Sequence, residues 1–290
     1  MSTVSRIFTL GHSPDPDDAF MFYAMAENKI DLRDYQFEHR LEDIQTLNER
    51  AMRGELDISA ISIHAYAFVS SRYALLPCGA SMGDGYGPMI VATETAGLSL
   101  DASDDEIRAW LRGRKIAVPG LMTSAYLALQ LYLGDFDYVV VPFDEIFAAV
   151  KSGTAAAGLI IHEGQLTYAQ SGFTKIVDLG EWWKHETALP LPLGGNVLRK
   201  DIAPEVRRDL LAILQESIEY GLTHREAGVQ HSMPYARDMD ATLADQFIGM
   251  YVNDYTLNYG ETGRAAIREF LGRAEARGYL DRKVELEFVE

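Results

Sequence analysis

The sequence predicts an α/β protein of two lobes with a cleft between them. Over the first two thirds of the 290 residues, strand-like apolar runs alternate with helix-like segments, a pattern typical of parallel sheets covered by helices. In the first part of the chain, a helix ending in Gly54 is followed by a buried strand and His64. Later, a helix ending in Gly153, a strand and His162 repeat that order. We interpret the repeat as two similarly built halves.

The lobe limits follow from this order of elements. Residues 1–92 are predicted to form the first part of lobe 1, and residues 93–195 are predicted to form lobe 2. Residues 196–290 are predicted to return to lobe 1, because periodic apolar positions from 204 to 280 indicate helices and no strand.

The predicted strands are apolar or alternating runs that end at turn residues: 7–11, 35–43, 56–62, 73–80, 88–93, 114–120, 137–143, 155–161 and 174–180. The predicted helices are runs of helix-forming residues: 19–27, 44–53, 63–71, 122–133, 145–153 and 164–172. Asp17 or Asp18 is predicted to cap the first helix. Asp43 is predicted to cap the second helix and Gly54 to end it.

Charge and composition exclude several classes of partner. The chain has 43 acidic and 26 basic residues, a net charge of −17, so a nucleic acid backbone would be repelled. No window approaches the roughly 18 uninterrupted apolar residues of a membrane span, and residues 1–18 lack the apolar run of an export signal. Cys78 is the single cysteine, which rules out an internal disulfide. We therefore expect a cytoplasmic protein that binds neither membranes nor nucleic acid, with its oligomeric state open.

A small ligand is expected at the carboxyl ends of the strands, because the crevice of an open α/β sheet lies there. This rule selects the turns after the strands: 12–18, 59–64, 81–87, 120–124 and 162–163. Two lobes facing each other at these turns would bury a small molecule and exclude water on closing.

His162 is the candidate catalytic residue. It follows the apolar run 155–161, which gives no reason for an imidazole until the chain reaches the ligand edge, and imidazole is the usual general base near neutral pH. Glu163 would orient the ring or face solvent. The alternative is a structural histidine bonded to a neighbouring carbonyl, and position alone does not separate the two. His64 is interpreted as a partly buried residue at a helix start.

Two groups of residues are candidates for holding the ligand. Thr123 and Ser124 open a helix after a strand and a glycine turn, where hydroxyls and free N–H groups suit a carboxylate or phosphate. Ordinary helix capping is the alternative for this pair. Ala60, Ile61 and Ser62 end a strand, where small residues let backbone groups reach a ligand or pack closely against the next helix.

The sequence has no recognisable metal or nucleotide-cofactor motif. Asp15, Asp17 and Asp18 would offer oxygens to Mg²⁺ or Ca²⁺, but their spacing is not that of a calcium loop, and a turn with a helix cap is the preferred interpretation. The glycines of 83–87 are not followed by Lys-Ser or Lys-Thr, and no strand-to-helix turn has the GxGxxG pattern. We expect neither a metal nor a cofactor.

Motifs along nearly the whole chain match one known family. They are GHSPDPDD (11–18), LEDIQTLNERAMRGELDIS (41–59), IAVPG followed by Thr-Ser-Ala-Tyr (116–126), AGLIIHE (157–163), VDLGEWW (177–183) and LPLPLG (189–194). These segments resemble the MqnD family, the 1,4-dihydroxy-6-naphthoate synthases of menaquinone biosynthesis. IIHE and LPLPLG are the most specific of them.

The resemblance implies a two-lobed fold like that of type II periplasmic binding proteins, with a cleft between the lobes and catalysis without a cofactor. It also implies a lyase of the futalosine pathway that cleaves cyclic dehypoxanthinyl futalosine, an aromatic carboxylate, to 1,4-dihydroxy-6-naphthoate and a three-carbon sugar fragment. His162 would be the general base of this carbon–carbon cleavage. Thr123, Ser124 and the strand end at 60–62 would hold the substrate.

The first turn departs from the family pattern, and two other functions stay open. The family usually has Ser-Pro-Cys-Pro-Asn-Asp, whereas this chain has Asp15 and Asp17 in place of Cys and Asn, which leaves the exact substrate open. A chorismate dehydratase-type sister enzyme of the same pathway would share the fold but lack the IIHE pattern at 160–163. A non-catalytic solute-binding protein for a small carboxylate would also share the fold, but it would need an export signal.

Overall fold

The protein consists of two mixed sheets with helices packed against their faces. The computed structural model describes residues 6–93, 98–99, 102–237 and 239–290. Residues 1–5, on which part of the prediction about export depends, lie outside the described residues, as do several residues near the start of the predicted lobe 2.

The strands of the described chain are β1 (Arg6–His12), β2 (Tyr35–Leu41), β3 (Ile58–Ser62), β4 (Tyr73–Leu75), β5 (Ser81–Gly83), β6 (Met89–Thr93), β7 (Ile116–Val118), β8 (Tyr138–Val140), β9 (Ala157–Ile160), β10 (Phe173–Asp178) and β11 (Leu191–Arg199). The helices are α1 (Pro16–Met21), α2 (Tyr23–Ala26), α3 (Ile44–Arg53), α4 (Ile63–Val69), α5 (Asp104–Arg112), α6 (Ser124–Leu133), α7 (Ile146–Lys151), α8 (Gly164–Thr167), α9 (Leu179–Thr187), α10 (Pro204–Thr223), α11 (Arg225–Ser232), α12 (Ala241–Tyr251), α13 (Asp254–Leu257) and α14 (Gly260–Ala276). The prediction of an α/β protein is confirmed.

Both sheets mix parallel and antiparallel strands. The first sheet has the order β2-β1-β3-β11-β4, with β5 also paired to β11, and the second has the order β10-β6-β9-β7-β8. In the first sheet β1 is parallel to β2 and β3, whereas β11 is antiparallel to β3, β4 and β5. In the second sheet β7 is parallel to β8 and β9, whereas β6 is antiparallel to β9 and β10.

The prediction of parallel sheets is therefore wrong where β6 pairs, and β11, which was not predicted as a strand, is antiparallel too; the path of the chain gives the reason. Each of these two strands is the first strand after the chain passes from one sheet to the other. When the chain leaves one sheet at the cleft, it enters the next sheet at the edge that faces the cleft. The first strand in that sheet therefore runs away from the cleft, antiparallel to the neighbouring strands that run toward it. These crossings lie between Gly83 and Met89 and between Asp178 and Leu191. The lobe limits at 92/93 and 195/196 stay a prediction.

Two helix starts lie where the sequence predicts them. Asp43 caps α3 by accepting the N–H groups of Gln45 and Thr46 at 3.0 and 3.1 Å. Gly54 ends the same helix with a φ of +72°, a conformation that favours glycine. α6 begins directly after Thr123, whose side-chain oxygen caps it.

The first helix differs from its prediction. α1 begins at Pro16, so Asp17 and Asp18 lie inside its first turn and neither caps it. Asp18 instead accepts the N–H of Ser13 at 2.6 Å. The Asp18 carboxylate therefore bonds back to the turn before α1 instead of capping the helix.

The sequence analysis assigned neither α9 nor β11. Two prolines and two glycines in 189–195 argue against a strand in the interior of a sheet. β11 nevertheless pairs with three strands, and the register shifts between Pro192 and Gly194. The irregular pairing accommodates a proline that has no N–H to donate.

The largest buried apolar cluster continues from one sheet to the other. It contains Ile61 and Val197 of the first sheet and Val118 and Leu159 of the second. The shared core holds the sheets together on one side, so that the ends of their parallel strands face a common cleft. Within the described ranges, no helix combines the length and apolar character needed to cross a membrane.

Candidate active site

A cleft of about 780 Å³, including its open mouth, lies at the carboxyl ends of β1, β3, β7 and β9. Its lining residues are Ser13, Asp15, Asp17, Asp18, Ile44, Ala60, Ile61, Ser62, Gly79, Ser81, Pro88, Thr123, Ser124, Ala125, Ile161, Leu193, Gly194, Gly195, Asn196, Phe247 and Tyr251. All five residues predicted to hold the ligand line this cleft. His162 is not among the lining residues, but its neighbour Ile161 is.

Thr123 and Ser124 at the start of α6 use their hydroxyl groups differently. The oxygen of Thr123 accepts the N–H of Tyr126 at 3.1 Å, and its hydroxyl donates to the carbonyl of Gly120 at 2.9 Å. The one proton of Thr123 is thus used inside the protein. The oxygen of Ser124 accepts the backbone N–H of the buried His64 at 3.1 Å, and no acceptor for the Ser124 proton is found among the described residues.

Ser62 is held by Asn48 of α3. The N–H of Ser62 donates to Asn48 Oδ1 at 2.9 Å, and Asn48 Nδ2 donates to Ser62 Oγ at 2.9 Å. The hydroxyl of Ser62 therefore accepts within the protein and has its proton to offer to a ligand. We call Ser62, Ser124 and the N-terminal amides of α6 the donor wall. Such a wall suits a carboxylate, because the first amides of a helix lack intrahelical acceptors and its dipole favours negative charge.

A second part of the cleft is lined by Asp15, Asp17 and Asp18. Burial raises the pKa of Asp17 well above its ordinary value, and the neighbouring Asp18 and Asp15 raise it further. Burial also raises the pKa of Asp18 to about 6, although the N–H of Ser13 opposes this shift. Burial therefore makes both carboxyl groups easier to protonate than carboxyl groups in water. None of the lining residues in the described part of the chain is Lys or Arg.

Asn196 on β11 adds an acceptor to the same cleft. It is buried, and its Nδ2 donates to the carbonyl of Gly79 at 3.0 Å. Its Oδ1 is buried and has no hydrogen-bond partner among the described residues. A buried acceptor without a partner costs about 1–3 kcal/mol, which a donor on a bound ligand would recover. We call the three aspartates and Asn196 the acceptor wall.

His162 follows β9, and its ring is bonded on both sides. The N–H of Gly164 donates to Nδ1 at 3.0 Å, so Nδ1 carries a lone pair, and Nε2–H donates to the carbonyl of Phe143 at 3.1 Å. The ring is edge-on to the rings of Phe143 and Phe147. These contacts select the neutral tautomer with its proton on Nε2.

Glu163 does not face solvent. It is buried, and both of its oxygens accept from Nη1 of Arg237 at 2.7 Å. Burial alone would raise the pKa of Glu163, but the His162 ring when it carries a proton on Nδ1, together with the Arg237 guanidinium, outweighs burial and lowers this pKa to about 2. Glu163 is therefore a carboxylate at every physiological pH.

Several residues of the site were missed in the sequence analysis. Asn196, Phe247 and Tyr251 line the cleft, and Tyr251 donates from its hydroxyl to Gln165 Oε1 at 2.6 Å. Arg237 lies at the rim. All four belong to parts of the chain predicted to return to lobe 1, and no local pattern marks them as ligand-facing. The sequence analysis considered the three aspartates as metal ligands or as a turn with a helix cap, but their sequence alone does not show that their side chains face a cleft.

The comparisons with known proteins cover nearly the whole chain. A family model described as "Menaquinone biosynthesis" matches residues 8–276. The chain is 38% identical over 269 residues to a 1,4-dihydroxy-6-naphthoate synthase from Thermus thermophilus, and 38% identical over 280 residues to one from Streptomyces coelicolor. Each alignment covers 93% of this chain and 94% of the relative.

Solved structures agree on the fold. The crystal structure of protein AF1704 from Archaeoglobus fulgidus is similar with a TM-score of 0.87 and 43% identity, covering 94% of this chain and 98% of that one. An alkanesulfonate-binding protein from Xanthomonas axonopodis pv. citri is similar with a TM-score of 0.69 and 11% identity, covering 96% and 95%. The second likeness shows that the fold is of the periplasmic-binding-protein kind. Taken with the match to the family model and the identity to both synthases, this chain belongs to the MqnD-type family of menaquinone-biosynthesis enzymes.

Proposed function

We propose that this chain is a cytoplasmic 1,4-dihydroxy-6-naphthoate synthase, a carbon–carbon lyase that forms its product from cyclic dehypoxanthinyl futalosine. The observation that carries the proposal is the pairing of a donor wall with an acceptor wall in one cleft. The product has a carboxylate at one end and two hydroxyl groups on the far ring. The donor wall suits the carboxylate, and the acceptor wall suits hydroxyl groups of the reacting portion.

His162 is the proposed general base. A base that removes a proton from the substrate would start the carbon–carbon cleavage, and aromatisation of the second ring would supply the driving force. The lone pair on Nδ1 supports this role, because a neutral imidazole accepts a proton. For Nδ1 to reach the substrate, the ring has to turn toward Ile161. Nδ1 then gives up the hydrogen bond from the Gly164 N–H and accepts the substrate proton instead. We propose that residues 93–195 close on residues 1–92 and 196–290 during this step.

Turnover of the pure protein tests the function. With cyclic dehypoxanthinyl futalosine, we expect release of a naphthoate with its own absorbance and fluorescence. A solute-binding protein would bind this compound without turnover, and a chorismate dehydratase-type enzyme would consume chorismate instead. Either result would contradict the proposal.

Ser124→Ala is expected to weaken binding of 1,4-dihydroxy-6-naphthoate about ten-fold, because a desolvated carboxylate loses one donor. Thr123→Val should weaken binding less than Ser124→Ala, because the Thr123 proton already bonds to the carbonyl of Gly120, and it should lower the free energy of unfolding by about 1 kcal/mol because α6 loses its side-chain cap. Titration calorimetry and urea unfolding separate the two effects. An unchanged dissociation constant in Ser124→Ala would exclude the donor wall as the carboxylate site.

Binding of the same naphthoate is expected to tighten about ten-fold as the pH falls from 8 to 5. The pKa of Asp18 is raised to about 6, so its carboxyl takes up a proton in this window, and the cleft loses a negative charge that repels the anion. Asp18→Asn should flatten the pH dependence while its Oδ1 still accepts the N–H of Ser13. Asp281→Asn, at an exposed position, is the matched control. Weaker binding at low pH would contradict the prediction.

A further inference from the structure

Arg237 joins three parts of the chain at the rim of the cleft. Its Nη1 donates to both oxygens of Glu163 at 2.7 Å, and its Nη2 donates to Asp15 Oδ1 at 3.1 Å. Its guanidinium also lies over the ring of Phe143, 4.8 Å from the centroid. Asp15 follows a strand of the first sheet, whereas Glu163 follows a strand of the second. One side chain thus connects both sides of the cleft.

Arg237 contacts Phe143 and Glu163, which follow strands of the second sheet, and both residues lie next to His162. The carbonyl of Phe143 accepts Nε2–H of His162, and Glu163 Oε2 lies 3.5 Å from Nδ1. While Nδ1 accepts the Gly164 N–H, its lone pair faces the carboxylate, and no hydrogen bond joins them. If His162 were protonated on Nδ1, the same carboxylate would become its ion-pair partner. The charge balance on Glu163 therefore decides which form of His162 is favoured.

We propose that Arg237 is a positioning residue of this site, which neutralises Glu163 beside His162 and ties it to Asp15, so that the imidazole stays neutral and able to accept a proton while the cleft is closed. This inference rests on the proposed role of His162 as base. The guanidinium is suited to the task, because its several N–H groups let Nη1 bind the Glu163 carboxylate while Nη2 reaches Asp15.

The backbone of Arg237 supports a specific placement. Its φ is +44°, in the left-handed region that non-glycine residues seldom adopt.

Other charges near His162 are Asp144 and Glu145, which follow Phe143 and are exposed, so solvent screens them. Glu163 is the buried charge that faces the ring, and Arg237 and Asp15 complete its surroundings.

The test is the NMR titration of His162, which needs no substrate. The His162 ring signal is identified by its loss in His162→Gln. In Arg237→Met its midpoint should rise by about one pH unit, because an uncompensated carboxylate favours the imidazolium. Arg237→Lys should restore most of the wild-type midpoint, and Arg237→Met combined with Glu163→Gln should restore it as well. Arg273→Met, which removes a surface ion pair with Glu269, should leave it unchanged.

The pH profile of kcat/KM supplies the kinetic readout. In Arg237→Met we expect kcat/KM to be roughly ten-fold below wild type on the acid limb and close to wild type on the alkaline side, because one pH unit is ten-fold in the neutral fraction. A merely structural role would lower kcat/KM equally at all pH values. An unchanged His162 midpoint in Arg237→Met would overturn the inference. Absence of turnover in the wild type would instead contradict the proposed function, and the NMR titration would still decide the role of Arg237.

Discussion

His162→Gln is expected to lower kcat at least ~100-fold while leaving the fold and naphthoate binding intact. Glutamine can still donate to the carbonyl of Phe143, but its amide accepts no proton at neutral pH. The side chain belongs to a turn after β9, so little core packing is lost. Single-turnover kinetics with the pure variant, together with circular dichroism and calorimetry of naphthoate binding, would measure the three quantities.

His185→Gln is a matched control for this variant, because His185 lies near the end of α9 and 87% of its side chain is exposed. Its kcat should equal that of wild type. If His162→Gln turned over at the full rate, the base assignment would be wrong. The aspartates that line the cleft would then be the remaining candidates for moving the proton.

Gly180→Ala is expected to lower the free energy of unfolding by roughly 3 kcal/mol. A Cβ built on Gly180 would overlap the backbone carbonyl of Tyr86 and the N–H of Gly87. Both neighbours are backbone, so no change of rotamer relieves the contact. Residues 86 and 87 lie in the segment by which the chain crosses from the first sheet to the second, and we expect this crossing to shift.

Urea unfolding measures the effect, and Gly272→Ala is its control. Gly272 is an exposed position of α14 where an added Cβ meets nothing within 4 Å. Alanine there should raise stability by up to about 1 kcal/mol, because alanine favours a helix over glycine. Equal changes in the free energy of unfolding of the two variants would show that the backbone of Tyr86 does not exclude a Cβ at position 180.

Patterns in the sequence predicted those parts of the fold that local chemistry decides. Asp43 and Gly54 mark the limits of α3 because a side-chain acceptor and a left-handed backbone each act within a few residues. The same reasoning was wrong for Asp17 and Asp18. Their turn contains two prolines, and the Ser13 N–H competes for the Asp18 carboxylate. Here two local bonds were possible, and the surrounding packing selected one.

The candidate site likewise has features that local sequence decides and features that packing decides. Ala60–Ser62 and Thr123–Ser124 were predicted to hold the ligand because each follows a strand, and strand ends meet at a sheet edge. Their place on the cleft wall agrees with that rule. The roles of their hydroxyls depend on Asn48 and His64, which donate to Ser62 and Ser124 from other helices. Long-range partners of this kind leave no periodic signal in the chain.

By itself, the sequence determined the α/β class, the strand ends where a ligand would lie, the acidic net charge and the resemblance to a menaquinone-biosynthesis family. Each of these depends on residue types and on spacings of a few positions. Only the tertiary structure decided the antiparallel entry of β6 and β11, the joining of Arg237 to Asp15 and Glu163, and the burial of an unpaired oxygen on Asn196. These features join residues far apart in the chain, and the packing that brings them together is a property of the whole core.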